Sequence, residues 1–72
     1  MTWTVENMVR IASHGGGLKV SALNVNVEGL VRIASHGKNG GASLIVTDAQ
    51  SLTPENAVRI ANHSPGNVTF EF

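Results

Sequence analysis

Apolar residues return along this chain in two alternating rhythms. Around Arg10, Arg32 and Arg59 they recur every three to four positions. Met8, Ile11 and Ala12 share one face with Val9 at its margin, as do Leu30, Ile33 and Ala34 with Val31, and Ala57, Ile60 and Ala61 with Val58. That period predicts three amphipathic helices of about three turns. Between and after them the period drops to two. Leu18, Val20 and Ala22 alternate with Lys19 and Ser21, and Val68, Phe70 and Phe72 alternate with Thr69 and Glu71. Ala42-Ser43-Leu44-Ile45-Val46-Thr47 is dense in branched residues. These three stretches read as strands, the last with both phenylalanines facing inward.

The boundaries carry their own chemistry. Thr4, Asn26 and Thr53 stand at one offset before the helices, where a side-chain oxygen accepts from a first-turn amide. Pro54 takes the first helical position of the third helix, and Leu52 stands before the cap as a hydrophobic staple. Gly15, Gly37 and the Ser64-Pro65-Gly66 run are expected to stop each helix just after His14, His36 and His63. The helical phrase returns after 22 and then 27 residues, within the range of stacked repeats. The expected fold is α/β: three helix-strand repeats forming a small two-layer parallel sheet, solenoid-like in outline. Strands separated by helices pair in parallel through right-handed crossovers. Residues 1–72 form one domain, with units of approximately 4–25, 26–52 and 53–72. Lys19, Ser21, Thr47, Thr69 and Glu71 predict an uncovered second sheet face. Leu23 and Ile45 are the apolar exceptions on it.

Composition narrows the function classes. Five Lys and Arg balance five Asp and Glu, which argues against a nucleic-acid binder and gives no support to anionic membrane binding. No cysteine is present, so disulfides and thiolate zinc sites are excluded. The opening Met1-Thr2-Trp3-Thr4 has neither basic leader nor apolar run, and no apolar stretch approaches membrane-spanning length. A cytoplasmic location is the expectation.

The candidate chemistry is a repeated polar stripe: Glu6-Arg10-His14, Glu28-Arg32-His36 and Glu55-Arg59-His63. Its members are four residues apart and line one helix face, so glutamate and arginine are expected to pair within each helix. The glutamates suit the positive end of the helix dipole, and arginine and histidine suit the other end. Helix electrostatics accounts for the whole stripe without a ligand. A metal-binding histidine row is the alternative. Helix axes lie about 8–10 Å apart, however, so three imidazoles converge only if the helices splay. The sequence has no HExxH, and its glycine runs do not open a helix as a phosphate loop does. Asp48 is the only aspartate, a poor start for a triad. No catalytic site, metal or cofactor is expected.

Two family resemblances bear on this reading. Leu52-Thr53-Pro54-Glu55 through Val68-Thr69-Phe70-Glu71-Phe72, and more loosely Leu18-Lys19-Val20-Ser21-Ala22-Leu23-Asn24, resemble leucine-rich repeats of the helix-containing kind. That resemblance implies a protein-binding scaffold with a concave strand face. Val9-Arg10-Ile11-Ala12-Ser13-His14-Gly15-Gly16-Gly17 resembles the first half of a transcription-activator-like effector repeat. It implies a second helix after the glycines, a base-reading turn near Ser13, His14 and Gly15, and sequence-tolerant nucleic-acid binding.

The reading that follows is a non-catalytic interaction or structural module. Terminal repeats in a stack normally carry polar caps. Here both terminal helices keep the apolar pattern, and Phe70 and Phe72 end the last strand with no following element to shield them. Trp3, Leu23, Ile45, Phe70 and Phe72 are the interface candidates. A homo-oligomer is expected, most simply a twofold dimer; neighbouring repeats of a longer chain are the competing source of cover.

Overall fold

The computed structural model describes residues 4–72. Helices and strands alternate: α1 (Val5–Ser13), β1 (Leu18–Ser21), α2 (Val27–Gly40), β2 (Leu44–Thr47), α3 (Pro54–Asn62) and β3 (Val68–Phe70). A short 3-10 turn, Ala49–Ser51, follows β2. The three strands form one sheet in the order β1-β2-β3, both pairings parallel. Leu18, Leu44 and Val68 stand side by side in register, as do Val20, Val46 and Phe70. The principal extents of 29 × 28 × 17 Å describe a thin slab, the shape of one helical layer on one sheet.

The helix starts follow from their caps. Asn7 N–H donates to Thr4 Oγ1 at 3.2 Å, Gly29 N–H to Asn26 Oδ1 at 2.8 Å, and Asn56 N–H to Thr53 Oγ1 at 3.2 Å. Each cap residue is extended, so its oxygen turns back over the first turn. The ends differ. α1 and α3 stop at the histidine, as expected, but α2 runs through Gly37 to Gly40. Gly37 is buried inside the helix, and Gly41 is the residue that ends it, left-handed at φ 75°. The added turn lies hard against the end of α1: a Cβ on Gly40 would stand 2.5 Å from the Ala12 carbonyl oxygen. Backbone contact this close requires glycine.

The core lies between the layers and is densest in the middle unit. Leu30, Ile33, Ala34, Leu44 and Val46 are buried, joined by Met8, Val9 and Ala12 from α1 and Ile60 from α3. Val5, Leu18, Leu52, Val68 and Phe70 pack around it, half-buried. Ser64 is buried just after α3, and among the described residues its Oγ has no hydrogen-bond partner. The strands are shorter than their alternation predicted. Phe72 lies beyond β3 and is 87% exposed, so its expected inward orientation is corrected. Pairing does continue one residue past β3, where Glu71 N–H donates to the Val46 carbonyl at 2.8 Å. The helix implied after the glycines by the effector resemblance is absent: Leu18–Ser21 is a strand in the sheet.

Candidate interaction surfaces

The polar stripe lies on the outside of the helical layer, and its pairing runs between helices. Arg32 Nη1–H donates to Glu6 Oε1 at 3.0 Å, and Arg59 Nη2–H to Glu28 Oε1 at 3.3 Å. Among the described residues these are the glutamate–arginine pairs formed, so the expected pairing within each helix is corrected. The cause is lateral packing. A four-residue step carries arginine only about 40° around the axis from its glutamate. Its long side chain then meets the carboxylate of the preceding parallel helix. Both pairs stand in solvent, and the Arg32 guanidinium still holds the Glu6 carboxyl below its ordinary range, mainly by hydrogen bond and then by charge, with a smaller contribution from His36. The same bond raises Arg32 above its own ordinary value.

His14 and His63 serve their own helix ends, whereas His36 lies exposed inside α2, four residues before its end. His14 Nδ1–H donates to the Arg10 carbonyl at 2.9 Å, and His63 Nδ1–H to the Arg59 carbonyl at 2.8 Å. A carbonyl only accepts, so the proton lies on Nδ1 and the second ring nitrogen remains for solvent. Each imidazole thus satisfies a last-turn carbonyl that has no helical partner. Among the described residues, no three His, Asp or Glu side chains gather closely enough to hold an ion.

The second sheet face is open and mixed. Lys19, Ile45 and Thr69 lie in one register row, and Lys19 Nζ reaches Glu71 Oε1 at 3.7 Å across that face. Ile45 is half-buried there, while Leu23 stands exposed in the turn beyond β1. Phe70 is half-buried on the outermost strand. Trp3 lies outside the described residues.

Two features escaped the sequence reading. At the carboxyl edge of the sheet, Ser21 Oγ–H donates to Asp48 Oδ2 at 2.7 Å and Asp48 is left-handed at φ 56°. Ser51 Oγ–H in turn donates to the Asp48 carbonyl, which closes the 3-10 turn. Asp tolerates this backbone region better than most residues, and the bonds tie β1 to the loop after β2. The second feature is an open groove of about 520 Å³ beside α1 and β1, whose apolar lining, with Met8, Ile11 and Leu18 among it, is joined by the polar Lys19, Ser21 and Asn24. Only comparison of equivalent positions in the three units would have suggested it. Among the described residues no helix is long and apolar enough to cross a membrane.

The described surfaces are a charged ladder on the helices, an open sheet face, and the outward sides of the first and last helix-strand units. Comparison with protein-family models, with curated proteins and with solved structures finds no match to this chain.

Proposed function

We propose that this protein is a non-catalytic interaction or structural module that works by self-association. The observation that carries this reading is the apolar surface at the last unit, where Val58 and Phe72 stand in solvent. In the same unit Phe70 is half-buried on β3, which pairs with β2 alone among the described strands. A chain this short buries only about 60% of its unfolded surface, so further cover at its ends adds a large share of its stability. The three units are in this reading a short run of a stackable, solenoid-like array.

Sedimentation equilibrium over a wide concentration range tests it. The expected result is a mass that rises with concentration, and a folded monomer throughout overturns the reading. Replacing both Phe70→Ser and Phe72→Ser is expected to dissociate the assembly and lower its melting temperature together. Unchanged assembly in that variant places the contact away from β3.

A further inference from the structure

We propose that copies of this chain dock head to tail, the α3–β3 end of one against the α1–β1 end of the next, repeating the step that joins units within the chain. The inference rests on the self-association reading and specifies its geometry. Within the fold every step has a direction. The arginine of the following helix reaches back to the glutamate of the preceding one, Arg32 to Glu6 and Arg59 to Glu28. Carried to the ends, that rule leaves Arg10 without a glutamate behind it and Glu55 without an arginine ahead. Among the described residues neither takes part in an ion pair. The two ends hold complementary halves of one contact.

The apolar positions obey the same direction. Val9, on a helix that another follows, is 8% exposed, whereas its equivalent Val58, on the last helix among the described residues, is 58% exposed. The isoleucines run the opposite way. Ile33 and Ile60 each lie on a helix that follows another and are 1% and 0% exposed, while Ile11, on the first helix among the described residues, is half-buried and lines the groove. One end thus offers an exposed valine and a glutamate, the other a half-buried isoleucine beside a groove and an arginine. The outer edges of β3 and β1 complete the match. Continuing the parallel register that aligns Leu18, Leu44 and Val68 sets β3 of one copy beside β1 of the next. A twofold contact would bring like ends together, glutamate to glutamate or arginine to arginine. A head-to-tail contact is heterologous, so it grows past a dimer, into a ring if the rotation closes and a filament if it does not.

Charge reversal separates this geometry from self-association of any other kind. Arg10→Glu and Glu55→Arg are each expected to weaken assembly about fivefold or more, the scale of an exposed pair turned repulsive. The double variant R10E/E55R is expected to recover the original assembly, and so is an equal mixture of the two single variants. Mixing changes neither variant's own fold, so recovery in the mixture reports contact between copies. Sedimentation velocity read alongside circular dichroism gives both quantities. Association that stops at a dimer, or that survives both reversals, overturns the head-to-tail contact while leaving self-association standing. Loss in both single variants with no recovery in the mixture also overturns it. A wild-type monomer at every concentration removes the self-association reading itself.

Discussion

The first and second helices carry nearly the same phrase, Met-Val-Arg-Ile-Ala-Ser-His and Leu-Val-Arg-Ile-Ala-Ser-His, yet they live in different surroundings. α2 has a helix on either side, and Leu30, Ile33 and Ala34 are all closed off from solvent. α1 has one neighbour among the described residues, and its isoleucine opens onto a groove. The polar face differs likewise: Arg32 has a carboxylate behind it, and Arg10 does not. Local sequence fixes that these residues form a helix and which face is apolar. Stacking fixes what each face is worth.

The sharpest way to break that comparison is one substitution made twice. Ile33→Ala is expected to cost about 2–5 kcal/mol, the range for emptying a closed core site. Ile11→Ala is expected to cost less than half as much, because its side chain already borders an open groove that can relax. Urea denaturation of both variants checks this, and equal losses would show that α1 is as enclosed as α2. Next in size is the junction of these two helices. Gly40→Ala pushes a methyl group into the Ala12 carbonyl and is expected to cost about 1–3 kcal/mol, as overpacking does. A neutral result would mean that the last turn of α2 stands off from α1.

The smallest effect concerns the ladder. The Glu6 carboxyl is lowered by Arg32, so its contribution is present above its unfolded value of about 4.5. That contribution is lost as pH falls through the still lower folded value. Arg32→Ala is expected to move the Glu6 titration midpoint, followed by carboxyl NMR, upward toward the ordinary value. A midpoint that stays put would uncouple the two helices electrostatically. Because both groups are exposed, the accompanying change in melting temperature is expected to be slight and to shrink with salt.

Much of the architecture was legible, and the parts that were not depended on what lies beyond each segment. Thr4, Asn26 and Thr53 announced their helices because a cap acts within one turn of chain. The switch from Ile33 and Ala34 to the Leu44–Thr47 run announced a change from helix to strand. Gly37 misled because glycine serves both to stop a helix and to let a neighbour come close; the approach of α1 decides between them. Glu6, Arg10 and Arg32 misled for a similar reason. Arginine four residues after glutamate suits a pair within the helix and equally a pair with the helix before it. Phe72 obeyed the alternation of β3 in sequence but fell past the last ladder bond. The Gly37 and arginine errors turn on a neighbour brought near by stacking and the Phe72 error on where the ladder ends, none of which periodicity along a single segment encodes. The interaction surfaces were least legible because they are defined by equivalent residues that differ only in what adjoins them.

The strand order has one more consequence, in the time domain. No two strands here are joined by a hairpin, so every ladder closes across an intervening helix and bears the entropy of that loop before pairing rewards it. Helices of nine residues, such as α1 and α3, are marginal alone, and their caps nucleate them without holding them. During synthesis none of these three strands therefore completes its pairing with another until Thr47 has emerged. From then until Phe70 arrives, β2 keeps one edge unpaired beside the apolar Leu44 and Val46. That interval is when a nascent chain is most exposed to pairing with the wrong strand.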